Sequence, residues 1–275
     1  MRSWSLAILL TLTGCSTGAG EIEGSTQPEP SASPSVATAA AAAPTPTTDT
    51  EGQPMRVLVT GFNDWRDLGD PANVWRCRDN PSCRLLLGDA TEQEPSEFHG
   101  PLAERLRARA PDIEWRFATM PVTWEAFSDV PADVDVIVNI GLGIYDRFDV
   151  LQLEAGAYNQ REGADALGQA RSEPISATAP EVLAAPQQGP IPTRLDALAG
   201  RSFGSFEVVV APARPANTYL CNETHYHALE AVRAGKGRLR EVYFLHIPYA
   251  ETSDYTPLAE ATTDLILALT PTAHE

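Results

Sequence analysis

Three residues far apart in the chain are of types that together perform acyl transfer: Cys221, His246 and Glu154. In such a set the imidazole accepts the thiol proton and the thiolate attacks a carbonyl carbon. The carboxylate fixes the tautomer and orientation of the ring. Cys221 stands in Asn217-Thr218-Tyr219-Leu220-Cys221-Asn222-Glu223-Thr224-His225-Tyr226, between an apolar β-rich run and the helical pattern Ala228-Leu229-Glu230-Ala231-Val232. That spacing puts the thiol in the first turn of a helix, where free N–H groups and the positive end of the helix dipole favour a thiolate. Each member alone is a weak signal, because an unpaired cysteine is often plain core. His225 and His227 suggest a metal site with His246. Residues two apart on a helix point to different faces, however, so solvated or hydrogen-bonded histidines are the simpler reading. Neither metal nor cofactor is expected.

The other cysteines have separate employment. Arg2, the short apolar stretch Leu6 to Leu12 and then Leu12-Thr13-Gly14-Cys15 resemble a bacterial lipobox, with Cys15 the lipidated residue. The apolar stretch is too short to span a bilayer as a mature helix. Residues 1–15 are therefore expected to be a lipoprotein signal, with membrane attachment through lipid. Ser16 does not resemble an inner-membrane retention signal, which favours the outer membrane of a bacterial envelope. Cys77 and Cys83 lie close together in a polar loop; export allows a small disulfide there, with two reduced thiols as the alternative. Cys221 is left over. A net charge of −17 excludes nucleic acid as a partner, since phosphate neutralisation needs basic patches.

These groups need a frame. Residues 16–54 are Ala, Pro, Thr, Ser and Glu with almost no large apolar residue, and read as a disordered tether. Residues 55–275 read as a single domain. Near-continuous apolar runs at 56–62, 135–140, 206–211 and 241–247 predict strands buried on both faces. Residues 113–120 alternate as another strand, and 148–158, with Glu154, predict one more. Helices are expected at 101–110, 193–199 and 258–269, with a short one over 122–127. Residues 63–98 and 161–192 read as loops. Gly141-Leu142-Gly143 reads as a turn that lets backbone approach a ligand. Strands alternating with helices argue for an α/β fold, a three-layer α/β/α sandwich around a mostly parallel or mixed sheet.

Four short motifs in this order resemble the pyroglutamyl peptidase I (pyrrolidone-carboxylate peptidase) family of cysteine peptidases. They are Val59-Thr60-Gly61-Phe62, the Glu-x-x-x-x-Asn spacing of Glu154 and Asn159, Tyr219-Leu220-Cys221-Asn222, and Phe244-Leu245-His246-Ile247-Pro248-Tyr249. The resemblance spans roughly residues 55–270. It implies removal of N-terminal pyroglutamate from peptides, without metal or cofactor, by Cys221, His246 and Glu154. It further implies that Phe62 and Trp65 hold the lactam ring and that the loop at Gly141 and Leu142 receives the lactam amide. Arg161, with Asp165, would be the remnant of a longer family stretch and would help hold the developing oxyanion. Inside an insertion near 66–97, Asn80-Pro81-Ser82 resembles a family Asn-Pro-Ser, with Asn73 the competing position for that alignment. Family members often assemble as tetramers, which leaves a homo-oligomer open. Two classes of function remain: a lipid-anchored cysteine exopeptidase for peptides with a blocked N-terminus, and a catalytically inactive or re-specialised lipoprotein that binds peptides or envelope components on the same fold.

Overall fold

The computed structural model describes residues 53–66, 74–88, 98–144, 147–185, 189–249 and 254–271. The expected signal segment with Cys15, the tether up to residue 52, much of the expected insertion and the side chain of Trp65 lie outside them.

The first strand, β1 (Arg56–Phe62), is buried on both faces from Val57 onward, as its unbroken apolar run requires. A two-residue hairpin of β2 (Trp65–Arg66) and β3 (Val74–Trp75) follows, then a 3-10 turn over Cys77–Asp79. The next element, α1 (Pro81–Leu87), replaces the expected loop. Every residue of this helix except Arg84 is buried, so it carries no amphipathic period to read. Its start is nonetheless encoded: the Asn80 side chain accepts from Ser82 N at 3.1 Å, and Pro81 occupies the first turn, where no N–H is needed. Then come α2 (Pro101–Arg109) and β4 (Glu114–Met120). Residues 122–127 form turns, not the expected helix. Glu125 is in the left-handed region (φ 64°), and its N–H goes to the Glu223 carboxylate (2.8 Å) where a helix would need a carbonyl.

The central strand β5 (Val136–Ile144) continues through Gly141-Leu142-Gly143, with a shift of register against the last strand of the sheet at Gly143, which corrects the expected turn. The single strand expected over 148–158 is two, β6 (Val150–Glu154) and β7 (Gly156–Tyr158). In place of the next expected loop, β8 (Arg161–Ala164) and β9 (Ala170–Glu173) form a mostly exposed hairpin, and β10 (Val182–Ala184) pairs with β7. The chain closes with α3 (Pro190–Leu198), β11 (Ser202–Phe203), β12 (Phe206–Ala211), α4 (Leu220–Arg233), β13 (Glu241–Pro248) and α5 (Thr256–Leu269).

Among the described residues, seven strands form the main sheet in the order β11-β12-β6-β13-β5-β1-β4. Strands β4, β1, β5 and β13 run parallel. β6 is antiparallel to β13 and carries β12 parallel to itself, so the sheet is mixed. Register decides which face each helix covers. Gly61 is paired with Ile140, so a Cβ at Gly61 would point to the face opposite Gly141. At Gly61 it would collide with the Ser82 carbonyl of α1, and at Gly141 it would press on Cys221 of α4. Thus α1, with α2 packed on it and α5 packed on α2, covers one face, and α4 covers the other. The result is a three-layer α/β/α sandwich.

Candidate active site

Strand alternation collects the chemistry on the α4 face. His246 is paired with Gly141 on one side and with Gln152 on the other, so its ring shares a face with Phe244, Gln152 and Glu154. Glu154 Oε1 accepts from His246 Nδ1 at 2.9 Å and from Gln152 Nε2 at 2.8 Å. Both ionisable partners are buried. With Nδ1 turned to the carboxylate, Nε2 is the nitrogen left for the thiol. Cys221 lies in the first turn of α4, above Gly141, on the same face as the His246 ring above Gly143. Burial alone would press the imidazole towards its neutral form. Hydrogen bonds with Cys221 and Glu154, and their charges, outweigh it and raise the pKa of His246 to about 10.

The two glycines make room for this group. A Cβ on Gly141 would lie 2.9 Å from Cys221 Sγ and 3.0 Å from the Phe244 ring. One on Gly143 would lie 2.6 Å from His246 Cγ and 2.8 Å from Nε2. Both glycines are therefore needed by side chains that arrive about a hundred residues later. Leu142, between them, alternates to the other face, so its side chain does not join the site.

Polar clamps hold the pieces together. Asn222, next to the cysteine, accepts from Tyr158 N (2.7 Å) and donates to Tyr158 O (2.8 Å) and Gln160 O (3.0 Å). It bolts the nucleophile's helix to the segment that follows Glu154. Asn159 exchanges hydrogen bonds with the Ser176 backbone, at 2.8 and 2.7 Å. Its place in the motif is thus met by a loop-holding role. On the far side, Cys77 and Cys83 are joined by a disulfide around Asn80 and Ser82. Asn80 donates to Phe62 O (3.1 Å), and Ser82 Oγ accepts from Phe62 N (3.1 Å). The end of β1 is fixed by these bonds. Phe62 is buried, with its ring 6.5 Å from that of Phe244, which in turn lies 5.0 Å edge-on from His246.

Arg161 needs a correction. Expected as an oxyanion donor, it directs its terminal nitrogens at Glu223 (2.9 Å), Glu125 (3.1 Å) and Glu173 (3.0 Å). The reason is Glu223, a buried carboxylate two residues after Cys221 that needs a cation. Asp165 is likewise structural, accepting from the backbone N–H groups of Trp124, Leu167 and Gln169. Glu223 and Gln152 were both missed in the sequence. An acidic residue in the first turn of a helix is a readable signal for the former. The two-residue offset from Glu154 is a signal for the latter once the strand is recognised. His225 is buried against Phe244, with ring centroids 5.8 Å apart and neither ring nitrogen hydrogen-bonded. Burial pushes its pKa down to about 4, against the pull of Glu154. Among the described residues no group of three or more His, Cys, Asp or Glu side chains could hold a metal ion.

No protein-family model and no curated protein sequence matches the chain. Solved structures do. Two mutant pyrrolidone carboxyl peptidases from the hyperthermophile Pyrococcus furiosus match at 20% identity, with TM-scores of 0.52 and 0.53. Each match covers 78% of this chain and 98% of the other. A further structure of the peptidase from that organism matches at 19% identity and a TM-score of 0.51, over 78% and 96% of the two chains. At this identity the likeness is one of fold.

Proposed function

We propose that this protein is a cysteine exopeptidase that hydrolyses the bond after an N-terminal pyroglutamyl residue. The observation that carries the proposal is the grouping of Cys221 with the hydrogen-bonded pair His246 and Glu154 on one face of the sheet, beneath the first turn of α4. The thiolate attacks the pyroglutamyl carbonyl carbon. The oxygen takes the charge near the N-terminus of α4, where Asn222 N and Glu223 N donate to Tyr219 O and the N–H groups of Leu220 and Cys221 precede them at the positive end of the helix. The C–N bond then breaks, and the His246 imidazolium gives its proton to the departing amine. Water, deprotonated by His246, opens the thioester, releasing pyroglutamate and restoring the thiol. Glu154 holds the ring throughout. Burial of the dyad and the shared fold with pyrrolidone carboxyl peptidases both support this reading. The Leu12-Thr13-Gly14-Cys15 run supports attachment to a bacterial cell envelope through lipid on Cys15.

A thiol hydrolase acting on a different N-terminal amide is favoured by one observation, the engagement of Arg161 by carboxylates instead of the sulfur's surroundings. The test is to incubate the full chain and its Cys221→Ser variant with a fluorogenic pyroglutamyl amide under mild reduction. Turnover by the wild type alone supports the proposal. Iodoacetamide labelling of Cys221 without turnover points to the second specificity. A thiol that neither turns over nor labels refutes both.

A further inference from the structure

We propose that Gln152 is a positioning residue of this site, holding the Glu154 carboxylate so that Oε1 remains the acceptor for the His246 Nδ1–H. The proposal rests on the reading of Cys221, His246 and Glu154 as a catalytic set. It begins from register. Gln152 is the residue of β6 directly opposite His246 on the antiparallel β13, and alternation puts it on the same face as Glu154. It alone on that strand can therefore reach both members of the pair. Its Nε2 lies 2.8 Å from Glu154 Oε1 and 3.5 Å from His246 Nδ1. The amide orientation follows from chemistry: an ionised carboxylate only accepts, so the N–H side faces it, and the flipped amide would set oxygen against oxygen.

Two donors thus converge on one oxygen. The Gln152 N–H fixes the carboxylate in a single rotamer, aimed at Nδ1. It also draws charge from Oε1, so the carboxylate holds the Nδ1 proton by hydrogen bond without taking it. Nδ1 keeps its hydrogen, and Nε2 stays presented to the sulfur. The titratable groups facing the cluster are Glu154 on the same strand, His246 on β13, and Cys221 and His225 on α4. His225 is held neutral by burial and adds no charge. Among the described residues, Gln152 supplies the one polar contact to Oε1 from a group that does not titrate.

Two variants of the full chain test this, each assayed for kcat and KM on a pyroglutamyl amide and for the pH dependence of Cys221 alkylation by iodoacetamide. Gln152→Leu removes the donor and keeps the bulk. Its kcat is expected to fall about 10- to 100-fold, with KM little changed, as when a group orienting a catalytic ligand is lost. Gln152→Glu keeps the shape. Above neutrality its second carboxylate repels Glu154 and the site is poor. As pH falls the new side chain takes a proton, becomes a donor like the amide, and recovers activity, so the variant-to-wild-type ratio of kcat should climb about tenfold from pH 8 to pH 5.5. A packing role would move neither profile. Superimposable pH profiles for Gln152→Glu and wild type, or a folded Gln152→Leu variant within about twofold of wild type, overturn the proposal. Wild-type Cys221 that alkylates but does not hydrolyse the amide defeats only the substrate assignment, and alkylation then decides on Gln152. Wild-type Cys221 that does neither defeats the catalytic set and Gln152 with it.

Discussion

Gly143→Ala adds a single methyl group to a strand. The backbone there lies outside the left-handed region, so alanine is sterically allowed, and replacing a strand glycine is worth roughly 0.5–1 kcal/mol in the chain's favour. The new Cβ, however, would lie 2.6 Å from His246 Cγ and 2.8 Å from Nε2, where ordinary contact begins at 3.4 Å. The ring atom Cδ2 is nearer still, so the ring must retreat by about 1 Å or more, given carbon contact optima of about 3.5–4.0 Å. It cannot do so and keep both the 2.9 Å bond to Glu154 and its present place beside Cys221. A misplacement approaching 1 Å at reacting groups costs on the order of 100-fold in rate. Overpacking costs about 1–3 kcal/mol against the gain from replacing glycine. The expected result is a folded protein with a denaturation midpoint modestly below that of the wild type, and kcat/KM on a pyroglutamyl amide and the Cys221 alkylation rate both down on the order of 100-fold. A folded variant that keeps both rates within about threefold of wild type would refute the placement of His246 against β5.

Glu154→Gln removes the negative charge beside His246, so the imidazolium loses support and its pKa, about 10 in the wild type, is expected to drop by about one to three pH units; NMR of labelled histidine reads this directly. His225 titrates at about 4 when folded against 6.5 ordinarily, so the unfolded chain takes up a proton first as pH falls. The resulting loss of stability begins near pH 6.5 and reaches roughly 3 kcal/mol by pH 4; His225→Phe should remove that share of the acid sensitivity in urea unfolding series. Asn222→Ala strands the Tyr158 N–H and the Tyr158 and Gln160 carbonyls, and should cost about 2–4 kcal/mol in the same measurement at pH 7. Cys83→Ala opens a bridge between residues six apart, for which the loop-entropy relation gives a loss of about 2 kcal/mol, visible as a lowered Tm that a reductant reproduces in the wild type.

The parts of the molecule legible in its sequence are those whose burial is uniform. β1 and β13 are near-continuous apolar runs because nearly all of their positions are enclosed, and their limits lie within a residue of those expected. The start of α4 was equally plain, since a polar segment separates an apolar strand from a helical period. α1 was hidden for the opposite reason: enclosed almost all round, it has no period. The β8–β9 hairpin, mostly exposed, carrying Gly163 at φ 116° and turning a charged Arg161 inward, has no apolar alternation either. At the site, residue types could suggest Cys221, His246 and Glu154, but not their neighbours. Gly141 and Gly143 look like a turn until α4 and β13 are laid over them. Gln152 acquires its meaning only because β6 runs antiparallel to β13, and strand direction is written nowhere in local spacing. Arg161 has a composition suited to an anion, yet the buried Glu223 reached it first.

The reversal of β6 divides the sheet into two ribbons, β4-β1-β5-β13 and β6-β12-β11, stitched by the ladder pairs Leu245–Leu153 and His246–Gln152. The site sits on this seam, with His246 on one ribbon and Glu154 on the other. Any loosening between ribbons is felt as a change in the His246–Glu154 distance before either ribbon comes apart. Amide exchange at Leu153 and Leu245 would then track loss of thiol reactivity on heating, ahead of global melting. Asn222, reaching from α4 to the segment beyond Glu154, is a brace across that join. The working parts thus double as a gauge of how tightly the two halves of the sheet are held.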